Sequence, residues 1–204
     1  GETTFIRNDL NEQPVLKRER AEQIIFNART YDPWSMAVGD NSNWRVPIAT
    51  SFVRSAEGSV LVRTVDVEVQ EDARQLVFGT ASVGVAQAYW FSEAPLDFSA
   101  WLEQGAYLLM DYRIDAAPEG DVVLRMDCTY PCAGEIQFNQ VLQDVTLGAW
   151  QKLAIPLACF AERGADLAAI TAPLVVATAD PFAMTYKRVA IAAEAEAETV
   201  LNCQ

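Results

Sequence analysis

The sequence predicts an all-β fold, a jelly-roll β-sandwich. About ten short apolar runs, rich in Val, Thr and aromatic residues, follow one another between residues 34 and 192. Clusters of Gly, Pro, Asn and Asp separate them at short intervals. The long 3.6-residue apolar periods that an α/β fold needs between its strands are missing. At 204 residues, 51% hydrophobic and 21% charged, the chain has material for one well-buried domain with ragged ends.

Residues 1–31 read as a linker or connecting segment. They are polar and mixed in charge, and LKRERAEQIIFNAR has the pattern of a short helix or of a stretch laid across a neighbour. The sandwich is expected over 32–192, opening with a strand at 34–38 and a turn at 39–43. Strands follow at 44–47 and 59–69, then a charged break at 70–74, then strands at 75–78 and 83–91. The clearest alternation is at 107–115, where Leu108, Met110, Tyr112 and Ile114 share one face and Tyr107, Asp111 and Arg113 the other. After a turn at 115–120, Val122, Leu124, Met126 and Cys128 point one way and Asp121, Arg125 and Asp127 the other. The two runs read as a hairpin with one buried and one wet face. A turn of helix is expected within 135–142. A strand from Trp150 follows, with Leu153, Ile155 and Leu157 inward. A short bridge at 165–170 leads to strands at 174–177 and 182–192, and residues 193–204 read as a flexible tail.

Charge and composition exclude several functions. Against 15 basic residues stand 28 acidic ones, a net charge of −13, with no Lys/Arg cluster for phosphate. Nucleic acid and anionic membrane are therefore not expected partners, whereas a neutral sugar is compatible with such a surface. With no histidine, the chain has neither a Ser-His-Asp nor a Cys-His centre, nor a His-based zinc site. No apolar run has membrane-spanning length, and the first residues lack a signal-peptide pattern. No carboxylate pair stands in a recognisable glycosidase setting, so no catalytic residue is assigned.

The candidate ligand contacts are aromatic and charged. Trp34 and Trp44 flank the 39–43 turn, and of the adjacent Tyr89 and Trp90 one must face away from the core. Sugar rings stack their C–H faces on such side chains. Asp111, Arg113, Arg125 and Asp127 share one sheet face if the hairpin register is simple; they bind sugar hydroxyls or pair with one another as solvated salt bridges. Tyr130 stands at the wet edge of the same region. Asp40, Asn41 and Asn43 supply oxygens for a structural calcium ion, or form an Asx-rich turn for conformational reasons alone. No other cofactor is expected. Of the four cysteines, Cys128 and Cys132 flank a turn-prone Thr-Tyr-Pro and read as a disulfide that fixes the turn, with free thiols the alternative. The pairing of Cys159 and Cys203 stays open. A disulfide implies a periplasmic or secreted location.

RMDCTYPC at 125–132, GAW at 148–150 and IPLACF at 155–160 carry a family resemblance. DPW at 32–34, QEDAR at 70–74, PLDFS at 95–99, YRIDAAP at 112–118 and GADL at 164–167 support it in order and spacing. The chain resembles the C-terminal galactose-binding-like domain of bacterial family 3 glycoside hydrolases, in the exo-1,3/1,4-β-glucanase and β-glucosidase branch. The resemblance implies a non-catalytic accessory sandwich that packs on the catalytic domains of a secreted or periplasmic enzyme and assists glucan binding. The nucleophile and acid/base of that family lie in the preceding domains and match nothing here. The alternatives are a purely stabilising domain and an independent lectin-like module.

Overall fold

A computed structural model of the chain describes residues 21–195 and 199–203. In chain order the strands are β1 (Glu22–Asn27), β2 (Arg29–Thr30), β3 (Ser35–Asp40), β4 (Asn43–Pro47) and β5 (Phe52–Arg54). Then come β6 (Val60–Val65), β7 (Ala73–Phe78), β8 (Ala86–Phe91), β9 (Tyr107–Ala116) and β10 (Val122–Cys128). The last five are β11 (Ala133–Gln137), β12 (Trp150–Pro156), β13 (Ile170–Thr178), β14 (Phe182–Ala192) and β15 (Thr199–Val200). Short helices α1 (Ser99–Glu103), α2 (Asn139–Leu142) and α3 (Leu157–Glu162) and a 3-10 turn at Leu167–Ala169 fill connections.

The strands form two sheets packed face to face. The larger runs β15-β12-β9-β14-β7-β6-β5, with β1 and β2 attached beside β14; the smaller, six-stranded sheet runs β11-β10-β13-β8-β3-β4. Alternation decides what each strand buries. Leu108, Met110, Tyr112 and Ile114 of β9 enter the core from one side, and Val122, Leu124 and Met126 of β10 from the other. Near the chain entry, Phe26, Trp90 and Tyr186 pack as an aromatic cluster, Trp90 and Tyr186 with ring centroids 4.7 Å apart.

Several expectations change here. β9 and β10 are not a hairpin. β9 pairs with β12 and β14, and β10 pairs with β11 and β13 in the other sheet. Alternation shows which face of a strand is buried, but not which strand lies beside it. The segment read as a helix or linker supplies β1, which pairs antiparallel with β14 and buries Ile25 and Phe26; residues 1–20 lie outside the described residues. The run at 59–69 ends as a strand at Val65, because the Asp72 carboxylate accepts the N–H groups of Val67, Glu68 and Val69 and turns the chain. Residues 133–137, read partly as helix, form β11 and only Asn139–Leu142 is helical. In the tail, β15 runs parallel to β12, and Cys203 is bonded to Cys159 in α3.

Candidate functional site: a cleft across the six-stranded sheet

A cleft of about 820 Å³ crosses the outer face of the six-stranded sheet. β8 builds its floor. Ala86, Ala88 and Trp90 face the core, so alternation turns Gln87, Tyr89 and Phe91 outward to line the cleft. The Tyr89 and Phe91 rings lie 5.7 Å apart. Small neighbours on the flanking strands, Ala37 and Ala172, pack against them and keep the floor low.

Trp44 stands at one end, on the edge strand β4, and is 45% exposed. Its aim comes from a β-bulge. Val38 pairs with Val46 and Asp40 with Asn43, so Gly39 alone faces both Trp44 and Arg45. Neighbours on a regular strand point to opposite faces; the extra residue breaks that alternation. Both Trp44 and Arg45 line the cleft. The Arg45 guanidinium lies 4.0 Å from the centroid of the Phe91 ring and 3.5 Å from Glu93.

Tyr130 stands at the other end, in the β10–β11 turn, and is 93% exposed. The Cys128–Cys132 disulfide closes this turn, with Cα atoms 4.9 Å apart. Backbone bonds from Cys128 N–H to the Cys132 carbonyl and from Thr129 N–H to the Ala169 carbonyl tie it down. Four interstrand gaps separate β4 from β10 in the sheet order, which makes the cleft about 19 Å long between those strands.

Between the ends lies a fixed polar set. Arg125 donates through Nε to Asp127 Oδ1 at 2.5 Å, and through a terminal nitrogen to Asp127 Oδ2 at 3.1 Å and Gln87 Oε1 at 3.0 Å. The Tyr89 hydroxyl donates to the Trp44 carbonyl at 2.6 Å. Burial pushes the Tyr89 pKa above its usual value, against the opposing pull of Arg45, so the group stays a neutral donor. Arg45 and Arg125 balance Glu93 and Asp127, so the lining carries no net charge in a chain of −13. Both carboxylates are engaged by arginines rather than standing free as an acid/base pair. The arrangement suits holding a neutral, hydroxyl-rich chain between two aromatic rings.

The structure gathers Trp44, Tyr89, Arg125, Asp127 and Tyr130 of the sequence candidates along this cleft. Trp34 and Trp90, only 3% and 1% exposed, lie in the core, closed off from solvent; large rings beside turns fill the interior as readily as they face water. Trp90 donates to Thr30 Oγ1, and Trp34 packs edge-on against Phe98. Asp111 and Arg113 point from the outer face of the other sheet, because β9 lies there, so the expected four-residue set is split between opposite faces. On that face Lys152 holds Asp111 at 3.1 Å, and Arg113 holds Asp115 at 2.7 Å. A smaller groove of about 280 Å³ beside them includes Trp150, whose ring is 4.7 Å from Lys187 Nζ and 5.2 Å from the Arg113 guanidinium.

At the 39–43 turn, Asp40 Oδ1 accepts from Ser42 N–H and Oδ2 from Glu57 N–H, while Asn43 Oδ1 accepts from Arg45 N–H. These oxygens accept from backbone N–H groups of the turn, of β4 and of the β5–β6 connection. No group of three or more acidic, His or Cys side chains that could hold a metal ion is found among the described residues. Sequence reading missed Arg45, Gln87, Phe91 and Glu93. The i, i+2 spacing of Gln87, Tyr89 and Phe91 was a usable signal once Trp90 was placed inward; the bulge that brings in Arg45 left none.

The family model described as galactose-binding domain-like, Exop_C, matches residues 32–191. The chain belongs to this galactose-binding-like family. No curated protein matches the sequence. Among solved structures, the exo-1,3/1,4-β-glucanase ExoP from a Pseudoalteromonas species is 22% identical, with a TM-score of 0.76 over 89% of this chain and 22% of that one. The extra C-terminal domain of the same enzyme is 21% identical, with a TM-score of 0.75 over 89% of this chain and 98% of that one. A family 30 carbohydrate-binding module from a Clostridium thermocellum cellulosomal cellulase is 19% identical, with a TM-score of 0.58 over 87% and 99% of the two chains. A family 11 module from the same organism, solved with a β-1,3-1,4-mixed-linked tetrasaccharide, is 9% identical, with a TM-score of 0.52 over 83% and 94%. At these identities the galactose-binding-like domain shares a fold with accessory and carbohydrate-binding modules.

Proposed function

We propose that this galactose-binding-like domain holds β-1,3/1,4-glucan chains in the cleft of its six-stranded sheet. In this reading it serves as a non-catalytic accessory domain of a family 3 exo-β-glucanase and packs on the catalytic domains of that enzyme. The observation that carries the binding role is the pair of exposed rings, Trp44 and Tyr130, at the two ends of a charge-balanced cleft. The span of about 19 Å from β4 to β10 admits several pyranose rings in a row. The likeness to the ExoP C-terminal domain supports the accessory role. The two disulfides fit an oxidising compartment, hence a periplasmic or secreted enzyme, and no helix among the described residues is long and apolar enough to cross a membrane.

Calorimetric titration with laminari-, cello- and mixed-linked oligosaccharides tests the binding role. The wild-type domain is expected to bind, and Trp44→Ala and Tyr130→Ala each to weaken binding by about 10-fold or more, as loss of an aromatic hot-spot contact does. Equal affinity in the double variant, or no heat with any oligosaccharide, counts against it. Sequencing the gene upstream of Gly1 tests the parent enzyme: a reading frame without a family 3 catalytic region removes that part.

A further inference from the structure

We infer that Tyr89 and Gly39 are positioning residues that aim Trp44 into the cleft, and that the Tyr89 hydroxyl acts on the backbone of Trp44 rather than on ligand. The inference rests on the glucan-binding reading for its effect on affinity, but not for its geometry. β4 is an edge strand, held on one side only by β3, and its bulge leaves Trp44 outside the regular ladder. Two features fix the bulge. Tyr89 reaches across from β8, two strands away, and its hydroxyl meets the Trp44 carbonyl at 2.6 Å, so that donor is already committed. Gly39 lets the backbones close up: a Cβ there would sit 2.3 Å from the Trp44 carbonyl oxygen and 2.8 Å from its Cα. Those are main-chain atoms and cannot swing aside, so any side chain at position 39 pushes β4 away and carries Trp44 with it. The Tyr89 ring keeps its place in the floor through Phe91 and Ala37 whether or not the hydroxyl is present. Removing the oxygen alone therefore separates positioning from contact.

The test compares wild type, Tyr89→Phe, Trp44→Ala and the double variant in two measurements. The first needs no ligand: ¹⁵N relaxation of the Trp44 indole N–H, assigned by its loss in Trp44→Ala. Tyr89→Phe is expected to raise the picosecond–nanosecond mobility of Trp44 and leave the other indoles unchanged; Gly39→Ala, read the same way, is expected to do so more strongly. The second is affinity for a mixed-linked tetrasaccharide. Tyr89→Phe is expected to weaken binding about three- to tenfold when Trp44 is present, and not at all when it is absent. An indole as ordered in Tyr89→Phe as in wild type overturns the inference. So does an equal loss of affinity with and without Trp44, which is the signature of direct ligand contact. If wild type binds no glucan, the proposed function fails, while the relaxation result still decides the positioning role.

Discussion

Trp90 and Tyr89 differ by one step along a strand and end in opposite settings. Trp90 is sealed against Phe26 and Tyr186, and Tyr89 forms the cleft floor. The sequence shows that such neighbours must part; which ring goes inward depends on what the opposite sheet offers, and here that is an aromatic cluster. Residue-scale burial also sets a pH response. Burial pushes the Tyr112 hydroxyl up to about 12 and that of Tyr186 well above the usual 10.0, the latter only partly offset by Arg74. Between about pH 10 and 12 the folded chain keeps protons that the unfolded chain gives up. This contribution is fully present below pH 10 and is lost as pH rises toward 12. Melting temperatures across that range are expected to hold up to about 10 and then fall, with a shallower fall in Tyr112→Phe. An unchanged slope in the variant would show that Tyr112 does not drive the effect. At the acid end, burial of Asp72 is outweighed by the N–H groups of Glu68, Val69 and Val67, which hold its pKa below the usual carboxylate value. Its contribution is present above the unfolded value and lost as pH falls through the folded one.

At the scale of elements, apolar runs bounded by turn residues were legible as strands even where their register is irregular, as in β14, whereas a short run behind a charged stretch was not. β14 was read with its observed ends, Phe182 and Ala192. β1 is that run, and with its register shift between Ile24 and Phe26 the consecutive Ile25 and Phe26 are both buried, so no period of two appears. Its place in the core makes a firm prediction. Phe26→Ala is expected to cost about 3–5 kcal/mol, and Leu153→Ala or Ile155→Ala about 2–5 kcal/mol, as large-to-small changes in a core do. Denaturant unfolding checks all three; a cost below about 1 kcal/mol for Phe26→Ala would place β1 outside the cooperative unit. The two disulfides act on different scales. Cys159–Cys203 spans 44 positions and Cys128–Cys132 spans 4, so loop-closure entropy gives the first about 4 kcal/mol and the second about 2. The short bridge matters more for shape, since it holds the turn that presents Tyr130.

At the scale of the molecule, the two-sheet fold was legible and the sheet pairings were not. Placing β9 and β10 in opposite sheets sends two similar Asp/Arg sets to opposite faces. On the β9 side, Asp115 takes Arg113, Gln75 and Thr185 together, while Arg113 and Lys187 both lie over Trp150. On the β10 side, two exposed rings flank the paired charges. Five residues of the cleft could be named from sequence because exposed aromatics and alternating charges are local signals. The bulge at Trp44 and the placing of β4 and the β10–β11 turn at the two ends of one face are products of topology.

The most direct measurement of the central claim is a chemical-shift map of the ¹⁵N-labelled domain titrated with a mixed-linked β-glucan tetrasaccharide. Saturable shifts are expected at the Trp44 indole, along Gln87, Tyr89 and Phe91, and in the turn that carries Tyr130, with the face bearing Asp111 and Trp150 unmoved. Shifts centred on that opposite face, or none at saturating oligosaccharide, would contradict it.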